Sequence, residues 1–121
     1  MTDRIVLTNI RFEARHGVHG WERETAQPFE VDVELWLDLA PAGRSDDLAA
    51  TVDYGLVYDE VARVLDGQPR NLLESLAEAI ARGLLTRFAT VDEVVVRVRK
   101  PAVRLGGPLD HASVEIRRRR P

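Results

Sequence analysis

The hydrophobic pattern of this chain runs at period two, changes to helical spacing, and returns to period two. From Arg4 to Arg15, the residues Val6, Thr8, Ile10, Phe12 and Ala14 fall on one side of an alternation, which predicts a long strand. His16-Gly17 breaks it. From Pro28 to Leu39 the alternation is cleaner. Phe29, Val31, Val33, Leu35, Leu37 and Leu39 share one face, and Glu30, Asp32, Glu34, Trp36 and Asp38 share the other. Residues 42–51 are rich in Gly, Ser and Asp, the chemistry of a loop with room for a short helical turn. Val57, Val61, Val64 and Leu65 then recur at helical spacing, and Gly67 and Pro69 stop that helix. Leu73, Leu76, Ala77, Ile80, Leu84 and Phe88 form the stripe of a second helix over about 72–88. A third strand spans Val91 to Lys100 and ends at Pro101, which donates no hydrogen bond. A fourth spans Ala112 to Arg119, with Val114 and Ile116 inward.

The order is ββααββ in one domain spanning 1–121, an α+β plan of four antiparallel strands with two helices on one face. The opposite face and both sheet edges stay open, and long open edges invite further pairing. The pattern therefore predicts an oligomer that joins edges into a larger barrel.

Composition narrows the function. Seventeen basic and twenty acidic residues give a net charge of −3, which speaks against nucleic acid as a partner. The chain has no cysteine, so disulfides, zinc thiolates and cysteine nucleophiles are excluded. MTDRIVLTNI lacks the pattern of a signal peptide, and no run is long enough for a membrane span. These features point to a cytosolic protein. His16, His19 and His111 have no metal-ligand spacing, and Ser45, Ser75 and Ser113 have no nucleophile-elbow context. No phosphate-binding glycine loop is present. The basic stretch Arg117–Arg120 reads as a solvated tail.

Four polar residues are candidates for chemistry, and each has an ordinary alternative. Glu22, in HGVHGWERE, has the context of an exposed loop acid. Tyr54, in TVDYG, stands where a packing tyrosine with a wet hydroxyl is common. Glu74 follows Asn71 by three residues, the spacing of a helix-capping box. Lys100 ends a strand, where a solvated side chain is ordinary. It is also the only lysine beside sixteen arginines. Coding bias can produce that imbalance, but arginine cannot replace lysine where a proton must move.

Taken together, HGV, the Glu22 loop, QPFEVDVELWLDL, SDDLAATVDYG, NLLESLAEAIA and VRVRKP closely resemble the dihydroneopterin aldolase family, in its order and spacing from Arg4 to about Arg117. The resemblance implies the tunnelling fold (T-fold), in which four subunits join their sheets into a barrel and two rings stack into an octamer. The polar face of the second strand would line the tunnel. It implies a retro-aldol step of folate synthesis, with 7,8-dihydroneopterin cleaved to 6-hydroxymethyl-7,8-dihydropterin and glycolaldehyde without metal, Schiff base or other cofactor. By position, Glu74 and the Leu73 backbone would bind the pterin edge, and Glu22 would hold the hydroxylated side chain. Tyr54 would reach in from a neighbouring subunit to pack on the ring and assist proton transfer, and Lys100 would be the central acid/base. The Lys-Pro pair is followed here by AVRLGGPLD, a departure from the family pattern in the Ala102–Asp110 loop. Three other readings remain at this stage: epimerisation or oxygenation of the same pterin, a non-catalytic T-fold protein binding a pterin or purine, and a small nucleic-acid binder.

Overall fold

The computed structural model describes residues 3–121; Met1 and Thr2, the first residues of the expected domain, lie outside them. Its strands are β1 (Arg4–Ala14), β2 (Gln27–Trp36), β3 (Glu93–Lys100) and β4 (Ala112–Arg119). Its helices are α1 (Gly20–Glu24), α2 (Ala40–Ser45), α3 (Tyr54–Leu65) and α4 (Leu73–Arg87), with a single 3-10 turn at Leu48–Ala50. The four strands form one antiparallel sheet in the order β1-β2-β3-β4. α3 and α4 pack on the same side of it, against β1, β3 and β4. The ββααββ plan and the open second face therefore stand. The second and third strands are shorter than the apolar runs that predict them. Leu37 and Val91 are buried in the core but lie outside the ladders.

Apolar burial fixes the layers. Phe29, Val31, Val33 and Leu35 of β2 and Val94, Val96 and Val98 of β3 meet Val57, Val61, Leu76, Ile80 and Leu84 of the helices. All of these side chains are completely out of water, and each such aliphatic residue contributes about 1.5–3 kcal/mol by transfer alone. α3 and α4 approach closely because α4 has Gly83 where a Cβ would strike the Glu60 carboxylate of α3.

One expected face is wrong. In β1, Leu7 pairs with Val33 and Ile10 with Val31, so Thr8 and Asn9 together oppose Asp32. This is a β-bulge, and a bulge shifts side-chain alternation by one residue. Ile5 and Leu7 therefore face the core before it, and Ile10, Phe12 and Ala14 face the core after it, while Val6 and Thr8 are exposed. Asn9 supplies the required backbone, with φ of 58°. Asparagine tolerates that left-handed region better than other residues with a side chain. Its amide donates to Asp32 Oδ1 at 2.6 Å.

The open face carries a charge lattice. Arg99 of β3 donates to Glu30, to both oxygens of Asp32 and to Asn9 Oδ1. Arg97 bridges Glu34 and Glu115, and Arg4 also binds Glu34. Each arginine pairs with a carboxylate on a neighbouring strand, and Arg97 joins β2 to β4 through Glu34 and Glu115, which ties the strands together on the side away from the helices. The expected solvated tail is also corrected: Arg117–Arg119 belong to β4. Arg118 pairs with Glu78 of α4, and Arg120 donates to the carbonyls of Val91 and Phe88. An arginine fork can satisfy two acceptors at once, which holds this end of the chain down.

Candidate active site

Lys100 is the next residue in the row Val94, Val96, Val98. Strand alternation therefore aims it at the helix-covered side of the sheet, at the point where the apolar row ends. Its side chain is 12% exposed, against the solvated strand end that is its ordinary reading. It donates to Glu22 Oε2.

Glu22 differs most from its exposed-loop reading. The loop between β1 and β2 folds into α1, and Glu22, its third residue, is buried. One carboxylate oxygen accepts from the His19 amide at 3.3 Å, closing the start of α1. The other accepts from Lys100 and from Gln27 Nε2, the latter at 3.4 Å. Burial alone would favour the protonated acid. The hydrogen bonds from Lys100, the His19 amide and Gln27 outweigh it, so the carboxyl pKa lies below its ordinary value. Gly17 makes room for this arrangement. Its φ is 152°, and a Cβ there would collide with the Glu22 carboxylate.

His16 lies beside the pair, almost fully buried, with its ring edge on Phe29 at 5.4 Å. Nε2 donates to the Leu65 carbonyl at 2.8 Å, and Nδ1 accepts from the Arg70 amide at 3.0 Å. This is the neutral tautomer. Burial lowers the His16 pKa, the Leu65 carbonyl opposes the shift, Arg70 and Lys100 add to it, and Asp66 opposes it.

The start of α4 brings the next candidates. The expected capping box does not form. The N-cap is Leu72 rather than Asn71, no side chain caps the helix, and Glu74 is its second residue. Glu74 is exposed, with no hydrogen bond or ion pair among the described residues. The Leu73 amide is among the first-turn donors that a helix leaves unsatisfied. Arg23 of α1 and Pro69, Arg70, Asn71, Leu72 and Ser75 line a cleft of about 350 Å³ beside this turn.

Tyr54 opens α3, where Asp53 accepts from the Gly55 amide at 2.9 Å. The residue is 67% exposed, not packed as the ordinary reading has it. Tyr54 and Leu65 stand at the two ends of α3, about 17 Å apart at 1.5 Å per residue. The structure thus brings Glu22 and Lys100 into contact. It places Leu73 and Glu74 on the α4 turn tethered to His16-Gly17 through Arg70. It joins Tyr54 to none of them within one subunit.

Gln27 and Gly17 carry contacts that sequence reading passed over. The signal for Gln27 was present: it shares the parity of Phe29, Val31 and Val33, so alternation points a polar side chain inward. The absence of metal-ligand spacing around His16 says nothing of its buried hydrogen bonds to Leu65 and Arg70. Among the described residues, no group of three or more histidine or acidic side chains is placed to hold a metal ion. Among the same residues, no helix is long and apolar enough to cross a membrane.

The sequence model of the family described as dihydroneopterin aldolase matches residues 5–117. A dihydroneopterin aldolase of Streptomyces coelicolor is 46% identical over 118 residues, covering 98% of each protein. A solved dihydroneopterin aldolase chain of Vibrio cholerae superposes with a TM-score of 0.91 at 30% identity, covering 99% of both chains. The Escherichia coli enzyme, solved in complex with neopterin, superposes with a TM-score of 0.89 at 27% identity, covering 97% of this chain and 99% of that one.

Proposed function

The chain belongs to the dihydroneopterin aldolase family, and we propose that its one T-fold domain, spanning 1–121, performs the family's retro-aldol reaction with Lys100 and Glu22 at the centre. The substrate is 7,8-dihydroneopterin, and the products are 6-hydroxymethyl-7,8-dihydropterin and glycolaldehyde, a cytoplasmic step of folate synthesis. The observation that carries this assignment is the buried Glu22–Lys100 pair at the end of the helix-facing row, beside an uncapped α4 turn that bears Glu74.

Each group has a chemical task. The pterin presents an amino group and a ring N–H side by side, and the two oxygens of the Glu74 carboxylate accept both. The Leu73 backbone binds the same edge. Glu22, kept ionised by its donors, accepts from the hydroxyls of the substrate side chain. The 2′-hydroxyl then loses its proton, and the C1′–C2′ bond breaks. Its electron pair passes into the ring's own C6=N5 imine, forming an enamine, while glycolaldehyde leaves with the new carbonyl. A proton added to C1′ restores the imine and completes the hydroxymethyl group. Lys100 exchanges these protons, directly or through water, and Tyr54 assists at C1′. The protein's remaining task is to hold the side chain where a proton can be taken and returned.

Tyr54 comes from a neighbouring subunit. Supporting this are its high exposure and the helix length between it and the Leu65 carbonyl that His16 binds. The open edges of β1 and β4 support an oligomeric barrel, whose tunnel the charge lattice would line. The test is incubation of purified protein with 7,8-dihydroneopterin and chromatography of the products. Equal amounts of 6-hydroxymethyl-7,8-dihydropterin and glycolaldehyde are expected, with none from Lys100→Ala. A stereoisomer with the full side chain as the sole product would overturn the cleavage reading.

A further inference from the structure

We propose that His16 is a positioning residue that fixes the Glu22–Lys100 pair relative to the first turn of α4, so that a single pterin can reach both. The inference rests on the site reading given above, and no step of the reaction uses this histidine.

The contacts form a continuous chain. Lys100 holds Glu22, and the Glu22 carboxylate rests against Gly17. Gly17 and His16 together clasp Arg70: the Gly17 amide donates to the Arg70 carbonyl at 2.9 Å, and His16 Nδ1 accepts from the Arg70 amide at 3.0 Å. The Arg70 guanidinium then donates to Ser75 Oγ at 2.9 Å, inside the first turn of α4. On the other ring edge, His16 Nε2 anchors the clasp to Leu65, the last residue of α3. From α1, Arg23 Nε donates to the Gly17 carbonyl at 3.3 Å.

This position needs a flat ring with a donor on one edge and an acceptor on the other, because it faces a carbonyl and an amide across a buried space. Neutral imidazole offers that combination. Without it, the part-buried Arg70 amide and the buried Leu65 carbonyl lose their partner, and the 66–72 segment is free to shift against α1. Misplacement by about 1 Å costs on the order of a hundredfold in rate when a substrate must be held at two ends.

The experiment uses the full chain and its pterin product, 6-hydroxymethyl-7,8-dihydropterin, titrated by fluorescence, beside kcat on 7,8-dihydroneopterin. His16→Phe keeps the ring against Phe29 and removes both hydrogen bonds. His16→Asn retains an acceptor near the Nδ1 position. With circular dichroism and sedimentation unchanged, His16→Phe is expected to weaken pterin binding and lower kcat, each by about tenfold or more. His16→Asn is expected to recover most of the loss. A folded, assembled His16→Phe that binds and turns over like wild type would overturn the proposal, as would a His16→Asn no better than His16→Phe. Should His16→Phe not fold, Ser75→Ala cuts the chain at its other end, and unchanged pterin binding there overturns the proposal equally. Glu74→Gln separates the two levels. If it binds the pterin normally, the site reading falls and the positioning role falls with it. If it binds weakly while His16→Phe binds normally, only the positioning role falls.

Discussion

Lys100 and Glu22 depend on each other. Lysine at the end of an apolar row would be costly to bury alone, and so would a glutamate pressed against a glycine backbone. Their contact, with Gln27 and the His19 amide, makes both burials tolerable. Removing the charge from Glu22 leaves Lys100 without its ionic partner, so Glu22→Gln should destabilise the fold by about 1–3 kcal/mol at neutral pH. The pH dependence has a definite sign. Because the folded-state pKa of Glu22 is depressed, its stabilisation is present above the ordinary glutamate range and is lost as pH falls through the folded value. Urea unfolding of wild type and Glu22→Gln should therefore show a gap at pH 7 that narrows on acidification. A gap that widens in acid would contradict the assignment. The inward aim of Lys100 was legible in the period of Val94, Val96 and Val98. The burial of Glu22 was not, because its partner lies 78 residues away in sequence.

Elements place these residues through local geometry that periodicity only partly reports. Alternation from Val6 to Ala14 looks unbroken in sequence, yet the chain changes face at Thr8-Asn9. A period-two pattern cannot register an inserted residue when small or polar groups occupy the insertion. The positive φ at Asn9 and its bonds to Asp32 and Arg99 hold the bulge, which sets the register of β1 as it runs toward His16-Gly17. Asn9→Ala should cost about 1–2 kcal/mol, since alanine is strained in the left-handed region. Asn9→Gly keeps the backbone and loses only the side-chain bond to Arg99, so it should fall between wild type and alanine in urea unfolding. Equal stability of wild type and Asn9→Ala would show that the bulge is not under strain. The start of α4 carries a similar lesson. Asn71 and Glu74 have capping-box spacing, but Arg70 is tied to His16-Gly17, and the helix begins one residue later. Among the described residues, Glu74 is thereby left without a partner instead of folding back on its own helix.

At the scale of the molecule, the sheet with helices on one side was legible from pattern alone, and so were its two unprotected edges. In the proposed mechanism, Tyr54 of a neighbouring subunit completes the site. Sedimentation at micromolar concentration should show an oligomer, and a monomer with full turnover would remove Tyr54 of a neighbour from the mechanism. The charge lattice bears on that assembly as well. With Arg97 and Arg99 already matched to Glu34, Glu115, Glu30 and Asp32, the sheet can turn this part of the face toward a water-filled tunnel with those charges paired. The central claim concerns proton transfer by a lysine in this frame, and Lys100→Arg tests it most directly. The substitution keeps the positive charge opposite Glu22 but replaces an amine that can give up and take back a proton with a guanidinium that stays charged. Steady-state turnover of 7,8-dihydroneopterin by the purified variant, assembled and still binding the pterin product, should fall by at least about a hundredfold in kcat. Turnover at the wild-type rate would contradict the account.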